Sequence, residues 1–475
     1  MKKTVRNKLA NPMLFITAWL LVAPAMAPAV TQGPLPSLSL KDFIQRATKN
    51  DIAFEAILID QLPLQYRRDA LLPDSDVILS VKHQYNFYLD QDRTNPESTL
   101  SLSKLFSTTG TDVSLSYSKS SSALTETDDS SLQFLISQPI AKNAFGKGYR
   151  LRDQIIGIEN DVSRYQIVEA YEDYLASLTA AYYNWYSAYE NLKVGQTSYT
   201  SNQKLMDNIL DRQRQKIALP IDVNKMELLL IGKKENTIVL QEIYDSISNL
   251  IFKAIRHKRA TPYIPVNPDS PARGVAFDQD YEQFTQNSRT YRILRLLEQQ
   301  GTMEVKKTAD DLLPSTNLLL GYQLDGQDWG IRDQERSYFA GISLRWPIGR
   351  SVDTAKHKIA QIEHKKTVLS NQNKYEELHT NLKNLFLQIR REQKLITVSE
   401  KKIKLAESIL KDEAENYSFG KVSLNDYLVA VNRVDENRFN HTERTVQLNK
   451  LLVEWLRLTD QLVGEEVLDK GLTTQ

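Results

Sequence analysis

The chain offers few residues in patterns that do covalent chemistry. It has no cysteine, which removes disulfides, thiolate metal sites and cysteine nucleophiles. Its six histidines are scattered. His357 and His364 stand seven apart on a charged stretch without a third ligand at helical spacing, so they read as solvated surface rather than a metal site. No phosphate loop, zincin motif or nucleophile elbow is present. Arg256-His257-Lys258-Arg259 reads as a solvated helix end whose cations suit the dipole. No catalytic residue, metal or cofactor is therefore expected. What remains is a pair of carboxylates in matched settings, Asp222 in Leu219-Pro220-Ile221-Asp222 and Asp426 in Ser423-Leu424-Asn425-Asp426. Two electrostatic roles are open to them. Each can be a helix-start carboxylate favoured by the dipole and the free N–H groups. Alternatively, several copies of the chain bring them together as acidic rings at a constriction, which favour cations.

The elements that position these aspartates come in duplicate. Leu71-Leu72-Pro73 recurs as Leu312-Leu313-Pro314, and Gln138-Pro139-Ile140 is matched by Trp346-Pro347-Ile348. Each half runs in one order: short helix, Leu-Leu-Pro, strands, X-Pro-Ile, very long helix, tip, returning helix. A repeat of this size fixes the architecture before any single residue does. Residues 350 to 419 contain neither proline nor glycine, and a helix of that length reaches about 100 Å. Ile155, Ile158, Val162, Tyr165 and Val168 begin a series in steps of three and four, the mark of a coiled-coil seam. Pro220 and Gly420 sit at the breaks, so each half predicts a long antiparallel hairpin. Ser39 and Asp42 form a capping-box-like start to a first helix over 39 to 70. The predicted divisions are a signal peptide over 1–27, a first-half helix over 39–75, strands over 76–140 and a helical hairpin over 141–261. A linker over 262–277 follows, then a second-half helix over 278–313, strands over 314–348, a second hairpin over 349–463 and a tail over 464–475.

Charge and hydropathy restrict where such a chain works. The formal net charge is +1, which gives no reason to expect a nucleic-acid partner. Lys2, Lys3, Arg6 and Lys8 precede the apolar stretch from Met13 to Ala23, with small residues at Pro24-Ala25-Met26-Ala27, so export is expected. No later run of 18 apolar residues predicts a spanning helix. If the chain crosses a bilayer, it does so with strands. Val77, Leu79, Val81, Tyr85 and Phe87 alternate with polar residues, as do Leu318, Leu320, Tyr322 and Leu324. This is the pattern of a membrane barrel, and equally of a soluble sandwich with one wet face. Thr99 to Phe106 and Thr111 to Lys119 flank a Thr109-Gly110 turn. They read as a hairpin present only in the first half, either an extension of the wall or a surface excursion, whose removal is expected to leave assembly intact. Four to six strands cannot close a barrel alone, so several chains must share one.

The two Leu-Leu-Pro motifs, the two strand-Pro-Ile motifs and the second tip, Tyr417-Ser418-Phe419-Gly420-Lys421-Val422-Ser423-Leu424-Asn425-Asp426-Tyr427-Leu428, together resemble the TolC-like outer-membrane efflux proteins from about residue 39 to 463. The resemblance implies a mixed α and β membrane protein and a homotrimer. Its β-barrel, usually of twelve strands, lies in the cell outer membrane and continues as an α-helical barrel into the periplasm. It implies a periplasmic adaptor, an inner-membrane transporter and surrounding lipid as partners, and passive export or type I secretion as function. It implies a periplasmic gate in which Tyr417 meets Asp222, and a lumen acidic ring at Asp426. Val429 and Val422 replace the family's second ring aspartate and gate arginine. Lys216 replaces the usual glycine of the first tip, so Lys216 or Arg214 can take over part of the gate. A trimeric coiled-coil adhesin is the competing expectation, and an enzyme is not expected.

Overall fold

A computed structural model describes residues 36–73, 75–88, 93–121, 128–257, 263–268, 274–327 and 335–463. The expected signal peptide and tail lie outside these, as do Pro262 and Pro271 of the linker. The described chain is a mixture of long helices and one large sheet.

The first half opens with β1 (Ser37–Leu38), α1 (Leu40–Asn50), α2 (Ile52–Ile59) and α3 (Leu64–Leu71). The single helix expected over 39 to 70 is therefore three. Asp51 takes an extended backbone and accepts the Ala53 N–H at 3.0 Å, so it ends one helix and caps the next. Pro63 opens the third, where a missing N–H costs nothing. Strands β2 (Val77–Tyr88), β3 (Arg93–Phe106), β4 (Thr111–Ser121) and β5 (Asp128–Pro139) follow. Then come α4 (Lys147–Arg214) and α5 (Pro220–Ala254). The second half holds β6 (Ile264–Pro265), α6 (Phe277–Asn287), α7 (Arg289–Asp311), β7 (Ser315–Gln327), β8 (Glu335–Arg345), α8 (Ser351–Ser418) and α9 (Leu424–Leu458). Helices α4 and α8 have 68 residues each, and α5 and α9 have 35 each. Asn143 caps α4, its Oδ1 accepting the Gly148 and Tyr149 N–H groups at 2.8 and 3.2 Å. Asp310 at the end of α7 accepts the Asn143 N–H at 2.8 Å and so ties the halves together.

The helices lie side by side. Near the sheet α3, α4, α7 and α8 follow one another, and away from it the order is α5, α4, α9, α8. Aromatic clusters fill the middle. Phe43, Tyr182, Trp185 and Ile251 pack in the first half, and Phe284, Leu382, Ile389 and Trp455 in the second. A buried ionic pin joins the halves there. Arg289 contacts both Glu172 and Asp460, and Glu172 also accepts the Leu462 and Val463 N–H groups.

The six long strands form one antiparallel sheet in the order β2-β3-β4-β5-β7-β8. The hairpin expected from Thr99 to Lys119 is β3 and β4, and β3 is the sole partner of edge strand β2 among the described residues. It is sheet and not excursion, so the expectation that its removal leaves assembly intact does not follow. Register aligns Leu79, Leu102, Leu115, Phe134, Tyr322 and Tyr338 in one row across all six strands. The next row, with opposite facing, is Ser80, Ser101, Ser116, Gln133, Gln323 and Ser337. The sheet thus has a mainly apolar face and a mainly polar face that also carries Ile78, Leu135 and Phe339, and among the described residues no helix covers the apolar one: Leu79, Leu102, Leu115, Phe134 and Tyr338 are all exposed.

Candidate functional site

The site is the helical tip, where α4 turns into α5 and α8 turns into α9. Both turns follow one plan. Each long helix ends on a residue in the left-handed region, Lys216 (φ 58°) in the first and Gly420 (φ 70°) in the second. Three residues later an extended N-cap starts the return helix, Leu219 in one and Ser423 in the other. Asp222 and Asp426 then occupy the same helical position. Asp222 accepts the Leu219 N–H at 3.2 Å, and Asp426 accepts from Ser423 N–H at 3.3 Å and Ser423 Oγ at 2.7 Å. Asp426 thus closes a capping box with Ser423, while Asp222 makes only its reciprocal half, since Leu219 has no side-chain acceptor.

An apolar cluster of Ile209, Met226, Leu424 and Leu428 holds the two turns against each other. Tyr417 packs on it and stacks on Tyr427, with ring centroids 5.6 Å apart. The Arg212 guanidinium lies over the Tyr417 ring at 4.9 Å, and its Nη1 donates to Ser418 O at 3.4 Å. Burial pushes the Tyr417 phenol above its usual range, Arg212 pulls it back, and the nearby Asp222 charge pushes it up again. Tyr417 and Asp222 are therefore neighbours, but the hydrogen bond shown for Asp222 is from Leu219 N–H to its Oδ2, at its own helix start. The polar residue that reaches across between the hairpins at the tip is Arg212, onto the Tyr417 ring and Ser418 O. Lys216 stands in the turn as a strained left-handed residue, and Arg214 pairs with Asp211 on its own helix at 2.9 Å.

Arg212 was not read from sequence, because its meeting with Tyr417 needs the two tips in register. A second inter-hairpin link was missed likewise. Asp435 on α9 is buried, takes the Lys233 ammonium of α5 at 2.6 Å and accepts from Ser198 of α4. Among the described residues no group of three or more His, Asp or Glu could hold a metal. His357 is less solvated than its sequence setting implied, lying 3.0 Å from Thr308 Oγ1 on α7. No described helix is long and apolar enough to cross a membrane.

No family model and no curated protein matches the sequence. Solved structures do. A membrane protein from Pseudomonas aeruginosa superposes with a TM-score of 0.69 at 11% identity, covering 90% of this chain and 91% of its own. The outer membrane protein VceC of Vibrio cholerae gives 0.66 at 13% identity, with coverages of 88% and 95%. The CmeC outer membrane channel of Campylobacter jejuni gives 0.66 at 13% identity, with coverages of 91% and 88%. The fold is that of the outer-membrane factors. Within this fold the tip described above lies at the end of the helices remote from the sheet.

Proposed function

We propose that the protein is a homotrimeric outer-membrane channel, a passive conduit without enzymatic activity, through which an inner-membrane transporter and a periplasmic adaptor export their cargo. The observation that carries this reading is the pair of raw edges on one chain. The sheet ends at β2 on one side and β8 on the other. On the β2 side α5 exposes Ile221, Leu228, Ile231 and Ile238 toward the tip, and on the β8 side α8 exposes Val398 and Leu405 toward the tip and Val352, Ile359, Ile362 and Leu369 near the sheet. Both series step by three and seven, as coiled-coil seams do. Complementary edges on opposite sides join copies head to tail, and a ring closes them. Closure also satisfies the edge N–H and C=O groups, which lipid cannot. The exposed apolar face then meets lipid and the polar face lines a lumen. An adhesin stalk gives no reason for two antiparallel helical hairpins or for a sheet with one greasy face.

The tip is the periplasmic gate in this reading. Tyr417, Asp222 and Lys216 lie at it, Arg212 on Tyr417 links the hairpins, and three copies of Asp426 form the acidic ring. Membrane cross-linking tests the assembly, with trimers in the outer-membrane fraction expected; monomers alone would remove the channel. Planar-bilayer recording tests the ring. Asp426→Ala is expected to weaken block by multivalent cations while trimers persist. Unchanged block returns Asp426 to helix capping only.

A further inference from the structure

We propose that the closed barrel has eighteen strands, six from each chain, so that its bore is as wide as the helical tunnel that feeds it. This rests on the trimeric channel reading above. Three observations carry it. The strands β3 and β4 have 14 and 11 residues, and a strand crosses the hydrocarbon in about 9–11. They share the facing of the other four: Leu102 and Leu115 continue the apolar row, Ser101 and Ser116 the polar one. Their turn is also clamped to the start of α4 and to the end of β5. Arg150 Nη1 donates to Thr108 O at 2.8 Å, and Gln138 Nε2 donates to Thr109 O at 3.0 Å. Gly110 and Gly146, both at positive φ, touch so closely that a Cβ on Gly146 would lie 2.6 Å from Thr108 O.

The geometry of the junction agrees. Four helices abreast, α3, α4, α7 and α8, meet the sheet in each chain. At about 8–10 Å between axes they take up about 36 Å of circumference. Six strands, about 4.8 Å apart and tilted about 40°, take up about 38 Å. Four strands would take up only about 25 Å on the same basis. Six strands therefore continue the helical ring without narrowing. An eighteen-stranded wall is about 36 Å across between backbones, against about 24 Å for twelve. With small hydroxyl side chains on β3 and β4 facing inward, the barrel admits whatever the tunnel delivers. Selection by size then falls to the tip.

The absence of cysteine allows a direct test on the full-length protein in lipid vesicles. Single substitutions Leu102→Cys, Leu115→Cys, Ser101→Cys and Ser116→Cys are labelled with an environment-sensitive fluorophore. Leu320→Cys and Gln323→Cys on β7 serve as barrel controls. Leu102 and Leu115 labels are expected to be quenched by nitroxide on acyl chains, and Ser101 and Ser116 labels only by aqueous quencher. If β7 alternates but β3 and β4 are aqueous throughout, the eighteen-stranded wall is wrong and the channel stands. If β7 fails to alternate as well, both readings fall. Should one labelled variant not assemble, the other on the same face, or Leu100→Cys and Ser103→Cys, decides. Polymer-maleimide of about 10 Å radius added from outside is expected to react with Ser116→Cys; refusal, with small maleimide reacting, means a narrower bore and overturns the proposal.

Discussion

At the residue scale the tip is held by an arginine on a tyrosine face. Arg212 uses the ring of Tyr417 and not its hydroxyl, so Tyr417→Phe should leave conductance close to wild type. Arg212→Ala should raise single-channel conductance, because a cation–π contact of about 0.5–2 kcal/mol is lost in each chain. Equal effects of the two changes in planar bilayers would instead assign the link to the phenol. Lys216 invites the opposite kind of change. It adopts the backbone that Gly420 adopts in the other half, and a side chain there costs roughly 1 kcal/mol. Lys216→Gly should therefore protect the tip amides more strongly from hydrogen exchange. Weaker protection would show that the lysine ammonium compensates its strain through a contact in the assembly. The matched positions of Asp222 and Asp426 were legible in sequence, because capping is local. Arg212 was not, because its partner lies more than two hundred residues away.

At the element scale the helices depend on a few buried charges. Asp435 bridges α9 to α4 and α5. Asp435→Ala strands the Lys233 ammonium, and loss of one partner of a buried pair costs about 3–5 kcal/mol. Thermal melting of the trimer should fall, and Asp435→Asn should recover part of the loss. Glu172 makes a separate prediction. Burial pushes its carboxyl up to about 7, against the pull of Arg289, which it shares with Asp460. The folded chain thus holds that proton more tightly than the unfolded chain. Stability should fall as pH climbs from about 4.5 to about 7, and Glu172→Gln should flatten that slope in melting curves. Element lengths were the clearest message of the sequence, since 68 residues without a breaker admit one reading for α8. The breaks at Asp51 and Ser288 were not clear. Each depends on one extended residue whose side chain caps the next helix, and periodicity runs straight through both.

At the scale of the whole molecule, the proposed trimer makes the chain one third of a closed object. Ile231→Asp on the exposed seam of α5 should block trimer formation without disturbing the monomer's helices, as read by cross-linking and circular dichroism. Persistent trimers would move the subunit contact off that seam. The duplication was visible in Leu-Leu-Pro and X-Pro-Ile. The strand count was not, because alternation locates strands but says nothing of which neighbours they choose. Pairing of β3 with β2 and of β4 with β5 decided it.

The bare apolar face of the sheet also sets an order of events in time. Helices α4, α5, α8 and α9 bury their aromatic clusters within one chain, so that part can form in water soon after export. The six strands cannot follow alone, since each edge would enter lipid with unpaired amides. For the proposed trimer, insertion must therefore wait until three chains have met. A newly exported chain spends that interval with adhesive strands exposed, and a periplasmic chaperone that shields them should shorten the list of wrong partners.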